Sequence, residues 1–366
     1  MSGKYEKKRR PPQLKQWQWI LLTVCVVFAV VSLISGLRMR KCCGALITQS
    51  AAETWKGESE GSYGQISVFL PEEDMISYQS MLSFRETLKN ELKAAGKVLP
   101  EDAPEGASLT VDAYTAVSRL SLFGEGGRSA SNVRTFGVGG NFFLFHPLRL
   151  VSGSYLTPDA LMKDRVVLDT GLAWALFGGI DVAGMTVTIG ERPYLIAGVV
   201  EIEDDFATQA AYLDPYVLFM DYDALTAISE IDISCYEVVI PEPFDGFAST
   251  VVKEKFPVTG SVIVDNTNRY SLRNLFRVIG DYGKRSMSQN AVVFPYWENA
   301  ARMTEDHAAF ALIMTILFGV LPGVCTVVVA VRFAIRRVAE TKDRLAAQIE
   351  RRSEQEKAKH YVRKGI

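Results

Sequence analysis

Two long uncharged runs constrain this chain more than any other feature. Residues 20–37, ILLTVCVVFAVVSLISGL, form about 18 helical residues spanning about 27 Å, close to the hydrocarbon thickness of a bilayer. Residues 308–331, AAFALIMTILFGVLPGVCTVVVAV, make about 24, enough to cross with some tilt. Two crossings are therefore expected. They divide the chain into a basic N-terminus (1–19), a first transmembrane helix (20–37), a stalk (38–63), a folded domain (64–302), a second transmembrane helix (308–331) and a basic tail (332–366). The alternatives fit less well. A cleaved signal peptide would suit the basic start MSGKYEKKRR, but the run is followed by Arg38, Met39, Arg40 and Lys41 rather than a small-x-small cleavage pattern. The same charges do not fit a lipoprotein signal at Cys42. A buried core helix in place of the second run seldom stays uncharged for so long.

Charge sets the expected orientation. Residues 1–19 carry 6 Lys/Arg against 1 acidic residue, and residues 332–366 carry 11 against 5, so both termini are expected in the cytoplasm. Arg38, Arg40 and Lys41 argue the other way but are fewer. Trp17 and Trp19 stand where interfacial aromatic anchors belong. Between the runs, residues 44–307 hold 20 Lys/Arg and 36 Asp/Glu, a net charge near −16 that the overall −2 conceals. An acidic exterior domain excludes nucleic acid as its partner. The basic arms suit anionic lipid, and the bilayer is the first partner.

No catalytic, cofactor-binding or metal residues are expected. GDYGKRS at 280–286 is the nearest approach to a phosphate-cradling loop, and its glycines are too close together. His146, His307 and His360 are scattered, and no H-E-x-x-H, G-x-S-x-G or S-x-x-K occurs. Asp204 and Asp205 read as a solvated acidic turn, lacking the alternating donors of a calcium loop. Cys25, Cys42, Cys43, Cys235 and Cys325 give no disulfide framework, although a bridge between chains through Cys42 or Cys43 stays open. In the second run, Pro322 with Gly319 and Gly323 reads either as a tolerated bend at a helix contact or as a hinge.

Along the domain, strand and helix patterns alternate. QISVFL at 65–70 reads as a strand, and residues 71–96 as a helix entered through Glu72 to Asp74 and closed by Gly96. SLTVDAYTAVSRLSLF reads as a strand, GEGGRSASN as a hairpin tip or disordered loop, and RVVLDTGLAWALFGG as a buried strand running into a helix. GMTVTIGERPYLIAGVV at 184–200 reads as a hairpin with Val187 and Ile189 on one face. Further strand and helix pairs follow to residue 266. NRYSLRNLFRVIGDYGKRS at 268–286 is amphipathic, with Leu272, Leu275, Phe276 and Ile279 on one side and Arg269, Arg273 and Arg277 on another; it reads either as lying against the membrane surface or as packing on the domain, and packing is the expectation. Residues 353–366 read as a frayed helix end or disorder. The fold class is α+β: a mixed α/β extracytoplasmic domain flanked by two transmembrane helices.

The block 136–200 resembles the extracytoplasmic core domain of MacB/FtsX-like ABC transporter permeases. Asn141, Phe142, Phe143, Gly153, Val166, Val167, Ala175, Leu176, Phe177, Gly178, Asp181, Gly184, Val187, Ile189, Gly190, Tyr194 and Gly198 match the family pattern in order. Gly184, Gly190 and Gly198 stand in for the family's hairpin turns. The resemblance implies a transmembrane subunit of the inner (cell) membrane that couples ATP hydrolysis by a separate ABC ATPase subunit to movement of its exterior domain, for export or envelope regulation. ATP would then be bound by the partner, and the chain would work in an oligomer with other transmembrane subunits. The sequence departs from a family permease in two respects. Two spans stand where four are usual, and the tail RFAIRRVAETKDRLAAQ lacks the family's pattern for coupling to the ATPase. The alternative is a two-span envelope sensor or scaffold whose domain binds a peptide, lipid or protein without ATP.

Overall fold

The computed structural model describes residues 15–44, 47–57, 59, 61–101, 107–212, 214–285, 288–289 and 291–363. They fall into two compact units, Arg40–Ala309 and a second made of Met1–Met39 with Phe310–Ile366.

Helix α1 (Gln16–Cys43) precedes the larger unit. That unit begins with a short 3-10 turn (Ile47–Gln49) and α2 (Ala51–Lys56), then β1 (Tyr63–Phe69), α3 (Tyr78–Ala94), β2 (Val111–Gly124), β3 (Ser129–Gly140), α4 (Phe142–Phe145) and β4 (Arg149–Gly153). It continues with β5 (Arg165–Asp169), α5 (Thr170–Phe177), β6 (Thr186–Ile189), β7 (Arg192–Glu201), α6 (Phe206–Ala211), β8 (Val217–Asp221), α7 (Tyr222–Thr226), β9 (Cys235–Pro241), α8 (Phe247–Lys255), β10 (Val262–Asp265) and α9 (Leu272–Asp281). A two-residue ladder, β11 (Ser288–Gln289) with β12 (Val292–Val293), leads into α10 (Tyr296–Arg363).

Ten strands among the described residues join in one mixed sheet: nine in the order β10-β1-β9-β2-β3-β8-β5-β7-β4, and β6 off this path, pairing with β2 and β7. The β3–β8 and β5–β7 pairs are parallel and the others antiparallel. Strand β2 organises this order because it is long enough to pair with three neighbours. Val111 to Thr115 bond to β9, Leu122 to Gly124 bond to β6, and β3 runs along most of its length. Since β6 also pairs with β7, hydrogen bonding closes a ring through β2, β3, β8, β5, β7 and β6. The strands β9, β1 and β10 extend from that ring as an open sheet whose free edge is β10.

Both faces of the open sheet are covered, so its strands bury alternate residues in two different cores. Ile66, Val68, Tyr236, Val238 and Ile240 face a core completed by α3, α5, α7 and α8. Phe69, Cys235 and Val239 face a second core with Phe136, Phe142, Phe145, Phe294 and Trp297. Helix α3 meets the first core with Met81, Phe84, Leu88 and Leu92, one stripe at helical spacing, and Ser77 caps it by accepting the Ser80 N–H at 3.2 Å. At the junction of β5 and α5, Asp169 caps the helix, its Oδ1 accepting from Leu172 N at 2.8 Å and Val217 N at 3.2 Å. Burial pushes its pKa up to about 6, against those hydrogen bonds.

Within the smaller unit, α1 and α10 pair antiparallel. Phe28 meets Phe318 edge to face at 5.0 Å, Ser32 Oγ donates to Thr315 O at 2.9 Å, and Cys25 and Cys325 lie with sulfurs 3.3 Å apart. Gly319 lies in this contact, where a Cβ would stand 3.1 Å from Ser32 Oγ. That is the close approach small residues allow. Gly323 has open space around it, and α10 continues through Pro322 without a break. Trp17 and Trp19 lie in the first turns of α1 and are exposed.

Several boundaries differ from the sequence reading. Part of the expected stalk is structural: Ala51 and Ala52 are buried as α2 lies on β1 and β9, and Gln65 Nε2 donates to Thr48 O at 3.0 Å. Small and polar composition concealed that burial. Helix α3 starts at its Ser77 cap rather than at the acidic residues 72–74. The last helix begins at Tyr296, before the expected domain end, and extends to Arg363 across the stretch read as frayed. Gly184 and Gly190 do serve turns, with φ of +89° and +61°. Gly198 does not: it sits inside β7, paired with Gly153 of β4, where a Cβ would lie 2.5 Å from the Ser154 carbonyl oxygen.

These two glycines therefore predict different costs. Gly190→Ala meets only the left-handed penalty, about 1 kcal/mol, because nothing surrounds it. Gly198→Ala has to displace backbone and is expected to lose about 3 kcal/mol. Thermal melts of the two variants followed by circular dichroism rank them, and equal melting temperatures would contradict the close β4–β7 packing.

Candidate functional site at the root of the last helix

The first turns of α10 belong to the domain. Trp297, Glu298, Ala301, Thr304, Glu305 and Ala308 are all buried, and their spacing of three or four marks one helix face. Trp297 leads that face into the second core, where its ring stands 4.5 Å from His146, 5.3 Å from Phe136 and 6.0 Å from Phe142.

Beside this aromatic packing runs a continuous buried polar chain. His146 Nε2 lies 2.5 Å from Glu237 Oε2. Ser67 Oγ donates to Glu237 Oε1 at 2.7 Å, and Asn266 Nδ2 donates to Ser67 Oγ at 2.8 Å. Arg269 Nη1 donates to Asn266 Oδ1 at 2.9 Å and to Glu298 Oε2 at 2.7 Å, while Nη2 donates to Glu298 Oε1 at 2.8 Å. The guanidinium thus makes a two-pronged bond with one carboxylate of α10. It also contacts a second, Nε lying 3.0 Å from Glu305 Oε1 and Nη2 3.3 Å from Oε2. Arg302 reaches Glu298 at 2.9 Å, and Arg285 reaches Glu305 at 2.5 Å and Asp306 at 2.9 Å. Around Arg269, apart from Glu237, three guanidiniums meet three carboxylates.

Local structure places each member. Ser67 and Glu237 alternate with the apolar residues of β1 and β9, so they point into the second core's side of the sheet. Arg269 occupies the tight turn between β10 and α9, its carbonyl oxygen held by Asn274 Nδ2 at 2.6 Å, and Ser271 caps α9 by accepting the Asn274 N–H. Burial works against the charge of Arg269, but Glu298 and Glu305 outweigh it and raise its pKa. Burial likewise works to raise Glu305, yet Arg269 and Arg285 together hold its carboxyl below the usual range. The chain offers charge balance and directional bonds. Its histidine–carboxylate pair is sealed, with side-chain exposures of 1% and 4%. Among the described residues no cluster of His, Cys, Asp and Glu is arranged to hold a metal ion.

The residues singled out from the sequence do not converge here. Trp17, Trp19, Gly319, Pro322 and Gly323 lie on α1 and α10 in the smaller unit, and Gly184, Gly190 and Gly198 lie in or beside the β6–β7 hairpin. Arg269 was expected on the solvent side of an amphipathic helix; it precedes the helix and is 4% exposed. One signal of the joint was present: Glu298 and Glu305, seven residues apart on one helical face, immediately before an apolar run.

Comparison with known proteins bears on this fold. The family model described as MacB-like periplasmic core domain matches residues 46–243, more than half of the chain. The chain belongs to the MacB-like periplasmic core domain family. The match starts before α2, in agreement with the packing of that helix against the sheet. Among solved structures, the periplasmic region of MacB from Actinobacillus actinomycetemcomitans is similar at 15% identity, covering 61% of this chain and 94% of that one with a TM-score of 0.39. The extracellular domain of the noncanonic ABC-type transporter YknZ from Gram-positive bacteria is similar at 15% identity, covering 53% and 92% with a TM-score of 0.33. No curated protein matches the chain. A MacB-like domain between two helices long and apolar enough to cross a membrane makes this a membrane protein with an extracytoplasmic domain, of the kind found in MacB/FtsX-type ABC transporter components.

Removing Arg269 should be costly, because Glu298 and Glu305 then stay buried without their main counter-charge. Arg269→Gln is expected to lose about 3–5 kcal/mol, read as a lower melting temperature of the detergent-solubilised chain. Acid tests Glu305 separately. Its folded pKa lies below the ordinary glutamate value of 4.5, so the stability it contributes is present above that value and is lost as pH falls through the depressed one. Glu305→Gln should flatten the acid limb below about pH 4.5, and an unchanged limb would show that Glu305 gains nothing from its partners.

Proposed function

We propose that this chain is a permease-like transmembrane subunit of a MacB/FtsX-type ABC transporter assembly. It passes the motion produced by ATP hydrolysis in a separate cytoplasmic subunit to its extracytoplasmic domain, for export or envelope regulation. The observation that carries this reading is the ion-paired joint on α10, a helix that contains both the buried face at residues 297–308 and the apolar run, and extends unbroken to Arg363. Rotation or sliding of its first turns would break the two-pronged Arg269–Glu298 bond inside a core. A displacement smaller than that threshold is handed on through Asn266, Ser67 and Glu237 to β10, β1 and β9. In this reading both basic termini are cytoplasmic, residues 332–363 of α10 meet the ATPase, and other transmembrane subunits complete the assembly. ATP is bound by the partner, and the chain itself performs no bond-making chemistry. Pro322, which lacks a backbone donor, is the point of easiest bending along α10.

The test is purification in mild detergent at native expression. A stoichiometric ATPase is expected to co-purify, with its hydrolysis rate altered by deleting residues 332–366 and, independently, by Glu298→Gln. Recovery of the chain with no ATPase would favour the sensor or scaffold reading. An ATPase that is present but insensitive to both changes would refute transmission through α10.

A further inference from the structure

A cleft of about 470 Å³ opens beside the joint, between α8, β10, α9 and the first turns of α10. Its lining carries six basic side chains against four acidic ones, on a segment whose net charge is near −16. The cations differ in how they are held. Arg269, Arg285 and Arg302 are bound to Glu298, Glu305 and Asp306. Lys253, Arg273 and Arg277 are exposed, and among the described residues none of them has an ion-pair partner. Asp265 and Asp281 complete the acidic lining, with Asp265 Oδ1 accepting the Thr267 N–H at 3.0 Å. Lys253, Arg273 and Arg277 against Asp265 and Asp281 leave the lining outside the ion pairs net positive by one, which suits a singly charged phosphodiester.

Helix α9 supplies the second half of the argument. Leu275 and Val278 anchor it to the domain, while Leu272 and Phe276 are left 57% and 55% exposed. These two are one turn apart, and Arg273 and Arg277 form the adjacent stripe. A water-soluble anion has no use for that apolar pair, whereas a phosphate attached to hydrocarbon does. Glu305, in the cleft wall, stands on the helix that also carries the apolar run from residue 308. We infer that the cleft binds the phosphate of an anionic phospholipid between Lys253, Arg273 and Arg277, with Leu272 and Phe276 against the start of its acyl chains.

This inference stands apart from ATP coupling, and its test reads the cleft alone. The full-length chain is placed in nanodiscs of phosphatidylcholine with or without phosphatidylglycerol, and hydrogen exchange is followed at residues 271–281. Phosphatidylglycerol is expected to slow exchange there at least fivefold. The effect should vanish in Arg273→Gln/Arg277→Gln, two exposed positions whose change leaves the melting temperature in place. It should persist when the basic residues of 332–364 are neutralised, since those bind the same lipid elsewhere. Equal exchange in both nanodiscs, or unchanged protection in the double variant, would overturn the proposal. So would full protection by inorganic phosphate in phosphatidylcholine nanodiscs, which would assign the cleft to a free anion. Loss of protection in Leu272→Ser/Phe276→Ser with phosphate still ineffective supports the lipid assignment.

Discussion

The burial of Arg269 is the constraint around which the rest of the larger unit is arranged. A guanidinium 4% exposed is tolerable only where carboxylates and acceptors surround it, since leaving such a charge unpaired in a core costs several kcal/mol. Two of those carboxylates come from α10 and the remaining acceptor from the turn after β10. The sheet edge, the α9 turn and the root of the last helix are therefore obliged to assemble together. Apolar packing through Trp297 and Phe294 holds the same elements but specifies register weakly. The two-pronged bond fixes which turn of α10 faces the sheet.

The large-scale plan was legible because it rests on patterns that tolerate no ambiguity. A run of uncharged residues the length of a bilayer, the strand running into a helix in RVVLDTGLAWALFGG, and the alternation in TVTIGERPYLIAGVV are each readable from local pattern alone. What was not legible depends on partners distant in sequence. Nothing local in YEVVIP or QISVF marks Glu237 or Ser67 as buried; they are buried because helix and loop cover the second face of the sheet. Arg269 read as surface, and only its meeting with Glu298, 29 residues on, explains its burial. Gly198 looked like a turn glycine, as Gly190 is, yet its role is to let β4 approach β7. The error had a common source: polarity and smallness were taken as signs of exposure.

The six-strand ring and the open sheet divide the work physically. Strand β2 belongs to both, bonding to β9 at one end and β6 at the other. A ring leaves no free edges within it and resists shear. The open sheet ends at β10, whose four residues precede the Arg269 turn. A load applied at that turn reaches the ring by two routes, along the open sheet to β2 and through α10, whose Trp297 packs 5.3 Å from Phe136 of β3.

Electrostatics separate the joint from the cleft beside it, although they share residues. In the joint three cations meet three carboxylates inside the protein, so salt screens them little and their contribution belongs to the folded state itself. Lys253, Arg273 and Arg277 face solvent, where salt at physiological strength screens charges beyond about 8 Å. Their potential is useful at contact range only, against a background of acidic charge that repels anions from the domain at large. A mobile anion in bulk solution is poorly served by such an arrangement. An anion already held nearby by its own hydrocarbon is not, and the apolar stripe of Leu272 and Phe276 supplies the matching surface on the helix that carries two of the three cations.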